Sequence, residues 1–251
     1  MQNGRIRLAP PQQHYLQRVL RLGHGDRFIA MDGRGRAWLV SLDVIEPLEL
    51  YAAILEPIAA HTELPIRVTL VAALPKGNGF DEVVRQATEL GVEQILPVLS
   101  DRTLLHPSPQ KVERWQRIAN EAAEQSERLC VPRLAAPISF MEHLQQEHQP
   151  SEALVKKYLC AARGMAPHLL ECLQSECFQI SDAIPSLASI TLAIGPEGGW
   201  TEREIAAAIA AGYQPVSLGS RILRAVTAPL VALSLVAAVW ERGEGKEVIG
   251  F

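Results

Sequence analysis

Residues 194–202 read IGPEGGWTE and residues 218–228 read LGSRILRAVTA, and each puts glycine directly behind an apolar run. A strand that feeds a glycine turn and then a helix N-terminus is a common way to build a nucleotide site, because backbone N–H groups point out of the turn toward an anion. The spelling here is not that of a phosphate loop. G-x-x-G-G matches neither G-x-G-x-x-G nor G-x-x-x-x-G-K-[ST], and Glu197 puts a carboxylate where phosphate oxygens would lie. Charge repulsion disfavours a polyphosphate at such a turn, whereas a cation such as a sulfonium is tolerated. A simpler reading has Glu197 capping N–H groups at the start of the next helix, and spacing alone places that reading slightly ahead.

These turns need a sheet to hold them. LASITLAIG (187–195) has the continuous apolar character of a buried strand. Thr201 with Glu204 three residues later has the form of a capping box, opening a helix that Gly212 ends. YQPVSLG (213–219) reads as a further short strand. Upstream, PIRVTLVAAL and EQILPVLS read as strands, and FDEVVRQATEL and KVERWQRIANEAAEQSERL carry apolar residues at helical spacing. A shorter helix with a Ser139–Glu142 cap and a strand at ALVKKYLCAA follow. Alternation of this kind predicts an α/β domain with a mostly parallel sheet. Both glycine turns should then lie outside the carboxyl ends of the strands, forming one pocket.

The N-terminal segment differs. HYLQRVLRLGHG reads as a short helix or turn, and DRFIAMDG and RGRAWLVSLDVI as strands joined at Asp32-Gly33. This predicts a small β-barrel or sheet. Pro57 and Pro65 bracket a polar stretch that reads as a linker, with the boundary near residue 63. The final helix, Ala228 to Trp240, is apolar nearly all round and contains Pro229, so it must be covered by the domain interior or by a dimer partner.

Composition narrows the function classes. At 251 residues and 48% hydrophobic content the chain can fill a substantial core. No stretch reaches the roughly 20 apolar residues needed to span a bilayer, and MQNGRIRLAPPQQ lacks the apolar core of a signal peptide. A cytoplasmic protein with no membrane partner is expected. Cys130, Cys160, Cys172 and Cys177 form no C-x-x-C pair, and the seven histidines, including His143 and His148, form no i, i+4 ligand pair, so no metal is expected. The net charge of −4 argues against a general nucleic-acid binder. Residues 1–41 nevertheless carry seven arginines against Asp26 and Asp32, which makes the N-terminus the basic end. A solvated face and an RNA contact surface explain that excess equally well.

IGPEGGWTEREI followed by LGSRILRAVTA resembles the paired C-terminal motifs of the SPOUT methyltransferases, specifically the RsmE family of small-subunit ribosomal RNA uridine N3-methyltransferases. The resemblance continues in LPKGNGFDEVVRQATELGVEQILPVLSDRT, ERWQRIANEAAEQSERLCVP and HYLQRVLRLGHGDRF, in the family's order, and covers most of the chain. It implies a PUA-like RNA-binding β-barrel domain over residues 1–63. It further implies an α/β SPOUT methyltransferase domain over residues 64–251, with its C-terminal part tied in a trefoil knot. Such knots are exceptions to ordinary topology.

The implied cofactor is S-adenosyl-L-methionine and the implied partners are ribosomal RNA, free or in an assembled particle, and a second copy of the chain. Carried over by position, Ile194, Gly195, Pro196, Glu197, Gly198 and Gly199 would wrap the cofactor, with glycines letting backbone approach closely. Leu218, Gly219, Ile222, Leu223, Arg224 and Thr227 would line its adenosine end, although Leu218 and Leu223 also suit ordinary core. Arg128 and Arg224 are the implied catalytic residues, stabilising charge on a uracil oxygen. Arg18, Arg21, Lys76, Arg102, Gln125 and Arg128 are the implied RNA contacts. By position alone, Arg128 complements the negative end of a helix.

One position departs from the family's pattern. Val226 stands where a glutamate is common, which leaves the proton acceptor unassigned. Residues 151–190 match loosely and receive no site. Two other readings stand beside the leading one: a non-catalytic RNA-binding or ribosome-assembly protein of the same fold, and a SPOUT methyltransferase acting on another RNA.

Overall fold

A computed structural model of the chain describes residues 4–46, 49–103, 107–146, 155–161, 166–179 and 189–241. The contacts divide it into two units, one running to His61 and the other from Thr62 to Lys246. The first begins with β1 (Arg5–Arg7), followed by α1 (Pro10–His14), which runs on into a π-helical turn over Tyr15–Val19. β2 (Arg27–Met31) and β3 (Ala37–Glu46) then pair antiparallel, with Arg27 opposite Ser41. Asp32 and Gly33 make the expected turn. Gly33 takes a φ of +66°, and Asp32 Oδ1 accepts hydrogen bonds from the N–H groups of Arg34 and Arg36.

β4 (Glu49–Ile58) completes a four-stranded sheet of order β1-β4-β3-β2 over a small core of Leu8, Leu16, Val40, Leu42, Leu50 and Ala52. Among the described residues no β1–β2 pairing closes it into the expected barrel. The expected linker is also shorter than its prolines suggest. β1 registers only with Tyr51–Ala53 of β4, so Pro57 lies on a stretch with a single neighbour, opposite Trp38, where its missing N–H costs no ladder bond.

The second unit is built on a parallel sheet. β5 (Arg67–Ala73), β6 (Gln94–Leu99), β7 (Arg133–Leu134), β8 (Ile138–Ser139), β9 (Val155–Cys160), β10 (Ser189–Ile194) and β11 (Gln214–Val216) are arranged as β11-β9-β10-β5-β6-β7, with β8 also paired to β6. Residues 153–154 and 162 of the strand expected at ALVKKYLCAA, and 187–188 of LASITLAIG, lie outside the described residues.

The two-residue period of these strands makes three layers. Val68, Leu70, Ala72, Ile190, Leu192 and Ile194 pack on one face with α2 (Gly79–Glu89), α3 (Pro109–Gln125), α5 (Leu169–Gln179) and α7 (Thr227–Trp240). Val71, Ala73 and Ala193 turn to the other face, toward α4 (Phe140–Gln146) and α6 (Glu202–Ala210). Pro229, Ala232, Leu233, Val236 and Val239 bury one stripe of α7, while Ser234 and Ala238 are exposed. Much of the helix is thus covered within its own unit. Among the described residues no helix is long and apolar enough to cross a membrane, and no group of three or more His, Cys, Asp or Glu side chains could hold a metal ion.

Arg128 corrects an expectation. It lies just past α3, is 4% exposed, and donates from Nε and Nη2 to Glu63 Oε2 and from Nη1 to the carbonyls of Thr88 (2.7 Å) and Val92 (3.0 Å). Glu63 Oε1 accepts in turn from the Cys130 N–H. Four of the five guanidinium N–H groups are engaged in fastening the entry of this unit to the ends of α2 and α3, so Arg128 is a structural clamp and does not face a substrate. Breaking a buried pair leaves its partner uncompensated. Glu63 retains some solvent contact, so Arg128→Ala should lower stability by about 3 kcal/mol, the low end for such pairs. The expected readout is a lower urea midpoint at unchanged slope.

Candidate functional site

The loops at the carboxyl ends of β5, β6, β9, β10 and β11 are fastened to one another chiefly by main-chain groups. Glu204 is the centre of this network. Its side chain is fully buried; Oε2 accepts from the Thr201 N–H (2.8 Å) and Oε1 from the Asp101 N–H (2.8 Å), so one carboxylate joins the β10 loop to the β6 loop. Thr201 Oγ1 accepts from the Glu204 N–H at 3.2 Å, which closes the capping box expected from the sequence. Asp101 ties the same two loops from outside, pairing with Arg203 at 2.9 Å.

Glu197 is not the helix cap that spacing alone favoured. Its Oε1 accepts from the Lys76 N–H at 3.0 Å, a backbone group of the β5 loop, while the helix start is capped by Thr201 and Glu204. Nη1 of Arg102 donates to the Gly198 carbonyl, laying the guanidinium stem along the glycine turn. A Cβ at Gly198 would stand 3.1 Å from Arg102 Cδ, so any larger residue would push that stem back by a small displacement.

Between these loops lies a cavity of about 380 Å³, within the range of roughly 300–1,000 Å³ typical of small-molecule sites. Ile194, Gly195, Pro196, Glu197, Gly198 and Gly199 form one side, and Leu218, Gly219, Ile222 and Leu223 the other. The two glycine motifs therefore meet in one pocket. Gly199 and Gly219 adopt φ of +70° and +111°, values that L side chains rarely take. A Cβ on Gly195 would sit 3.3 Å from the ring of Trp200. Part of the wall is therefore bare backbone, which a small-molecule ligand can approach closely and read through N–H and C=O groups.

Other expected residues lie elsewhere. Arg224 and Thr227 are not in the wall; the Arg224 carbonyl accepts from the N–H groups of Thr227 and Ala228 at the start of α7, and its side chain is exposed. Lys76 contributes backbone to the network and an exposed side chain. Gln125 is exposed at the end of α3, and Arg18 and Arg21 are exposed in the first unit. Arg102 does line the cavity.

The wall also includes residues without an expected role: Cys160, Ala161, Trp200, Ile205, Arg221, Ala225 and Ala228. Cys160 and Ala161 were findable from topology, since Cys160 is level with Ile194 of β10 and Val216 of β11, the last residues before the two turns. Burial pushes the Cys160 thiol up to about 12, so at neutral pH it is an apolar surface and no nucleophile.

Val226 has a packing role. A Cβ at Gly79 would stand 2.8 Å from Val226 Cγ1 and 3.3 Å from Pro75 Cγ, so the valine fills the space that the glycine leaves open. Gly79→Ala should cost roughly 1–3 kcal/mol through overpacking. Adding Val226→Ala should recover part of that loss, and a double-mutant cycle on thermal unfolding would measure the coupling.

Comparison with known proteins follows this geometry. A profile for the RNA methyltransferase domain matches residues 62–237, and one for the RNA methyltransferase PUA domain matches residues 8–55. The chain is 48% identical over 236 residues to ribosomal RNA small subunit methyltransferase E of Synechocystis, covering 94% of this chain and 74% of the relative. It is 31% identical to the Bacillus subtilis protein of that name, covering 89% and 86%. The crystal structure of the Neisseria gonorrhoeae protein of that name, bound to S-adenosyl methionine, superposes with a TM-score of 0.78 at 32% identity, covering 94% of this chain and 92% of that one.

Proposed function

The chain belongs to the ribosomal RNA small subunit methyltransferase E family, and on that premise we propose that it methylates N3 of a uridine in small-subunit ribosomal RNA, using S-adenosylmethionine. The observation that carries this reading is the meeting of the two glycine motifs around one cavity with a backbone wall. The bound cofactor supplies an electrophilic methyl carbon on a sulfonium. Gly195 to Gly199 and Leu218 to Leu223 would hold it, and Glu197, the one carboxylate lining the cavity among the described residues, would offset its positive charge.

Methyl transfer needs N3 of uracil in line with that carbon, and positioning supplies most of the rate. N3 lies on the pairing edge, so the base enters unpaired or flipped. Arg102 and Arg221 put guanidinium groups in the wall, and the exposed Arg224 stands three residues beyond; they would steady charge on the uracil oxygens and contact phosphates. Lys76 and Gln125 are exposed and would add RNA contacts in this unit, and Arg18 and Arg21, exposed in the PUA unit, would add contacts there. The placement of β10 between β9 and β5, with both loops at one cavity, supports a trefoil knot in this part of the chain. The half-buried Leu230 and Val231 on α7 support pairing with a second copy.

Two experiments test this reading. Primer extension on small-subunit RNA from a strain lacking the gene should lose one uridine stop, since an N3-methyl group blocks pairing; purified protein plus cofactor should restore it. Unchanged stops would favour a non-catalytic RNA-binding role. Separately, Glu197→Gln should weaken S-adenosylmethionine binding roughly three- to tenfold, as expected for losing one partly solvated charge. It should weaken S-adenosylhomocysteine binding much less, because that product is an uncharged thioether. Equal losses in calorimetry would remove the charge argument.

A further inference from the structure

Residues 15–21 carry side chains that the fold of the first unit does not use. Three of the six large apolar side chains exposed among the described residues lie here: Tyr15 (44%), Val19 (58%) and Leu20 (47%). Gln17, Arg18 and Arg21 are exposed as well, and only Leu16 turns inward to the small core. Arg5 and Arg36 pair with Asp43 and Asp32. The guanidinium groups of Arg18 and Arg21, by contrast, have no partner among the described residues. No Asp or Glu occurs before Asp26 to offset their charge locally.

The backbone holds this patch in one shape. Pro10 and Pro11 preset the first turn of α1. The Leu20 N–H donates to the Tyr15 carbonyl at 3.0 Å, five residues back, in the π-helical turn. The Leu22 N–H then donates to the Leu16 carbonyl at 2.9 Å, six residues back, which closes the helix end with Arg21 in the left-handed region at a φ of +57°. Glycine is the usual residue at that point, because a Cβ is crowded there by its own backbone. Glu127, the other non-glycine residue at positive φ among the described residues, is followed by Arg128, whose buried bonds fix that turn. Arg21 has no such network, so the fold gains nothing from an arginine over a glycine.

Resting on the ribosomal RNA reading above, we propose that residues 15–21 bind an unpaired stretch of the RNA substrate, with a base stacked on the Tyr15 ring and phosphates held by Arg18 and Arg21. An exposed aromatic ring beside unpaired guanidinium groups has the chemistry of a single-strand platform: the ring stacks on any base and the cations follow the backbone. A duplex does not fit this surface. Its bases show no free face, so phosphate contacts alone would leave Tyr15, Val19 and Leu20 in water. A protein partner would have to bring its own carboxylates, whereas RNA brings an anion with every nucleotide. Arg21 keeps a costly backbone conformation because its guanidinium is what the site needs.

The test uses the full chain and labelled small-subunit ribosomal RNA, with binding measured by filter retention over a series of salt concentrations. Tyr15→Ala should weaken RNA binding roughly tenfold, within the range for one stacked base. Tyr15→Phe should bind as the wild-type chain does, because stacking needs the ring and not the hydroxyl. Arg21→Gly relieves the left-handed turn, so it should melt no lower than the wild-type chain. It should nevertheless bind RNA roughly threefold more weakly, with a salt slope smaller by about 0.7, the loss of one phosphate contact on a single strand. Ultraviolet crosslinking with mass spectrometry should place an unpaired nucleotide on the peptide that holds Tyr15.

Full RNA affinity in Tyr15→Ala at every salt concentration overturns the proposal while leaving the methyltransferase reading intact. A changed oligomeric mass in that variant with unchanged RNA affinity overturns it too, by making the patch a contact between proteins. A crosslink to a base-paired nucleotide overturns the single-strand assignment, and a lower melting temperature for Arg21→Gly overturns the account of its strained backbone. Failure of the wild-type chain to bind or methylate small-subunit RNA overturns both readings together.

Discussion

The cavity depends on one buried carboxylate. Glu204 has no solvent contact, and it accepts from the backbone of Thr201 and of Asp101, residues a hundred positions apart. Without it, two main-chain N–H groups at the carboxyl end of the sheet would lose their partners, and with them the tie between the two loops. The carboxylate is held by oriented N–H dipoles and a helix N-terminus, which tolerate a buried negative charge where an isolated one would be expelled. Because Glu204 lies in the first turn of α6, placement of the helix and placement of the loops are one event. Glu197 repeats the device at the cavity edge, drawing the β5 loop to the same turn.

This explains why the regular elements were legible in the sequence while some of the site was not. Strands with continuous apolar runs and helices ending at glycine are local signals, and β5, β6, α2, α3 and α6 lie where periodicity and caps put them. The capping box of Thr201 and Glu204 was readable as a helix start. That Glu204 also binds Asp101 was not, since no spacing rule links residues on separate loops. Arg128 is the clearest case. Its position at a helix end gave a dipole reading and its motif a substrate reading, whereas its real partners, Glu63, Thr88 and Val92, are set by tertiary packing.

The glycines of the cavity wall were more legible because glycine signals a special backbone conformation. Gly199 and Gly219 take the positive φ that glycine tolerates and other residues rarely adopt. Cys160, Ala161 and Trp200 lacked such a signal: an apolar strand end and an indole both read as core. Trp200 in part is core, stacked on Phe140.

Val226 shows how a departure at the chemistry can be absorbed by packing. A valine at the mouth of α7 fits against Gly79, and Gly79 opens α2, whose preceding loop is held by Glu197. A glutamate there would carry a charge into a contact that now satisfies itself by shape alone. The β5 loop is thus fixed from two sides, by a carboxylate on its backbone at Lys76 and by a methyl group at Gly79. Steric fit and hydrogen bonds to main-chain groups determine where this loop stands, and the Asp101–Arg203 pair adds a tie between the β6 and β10 loops.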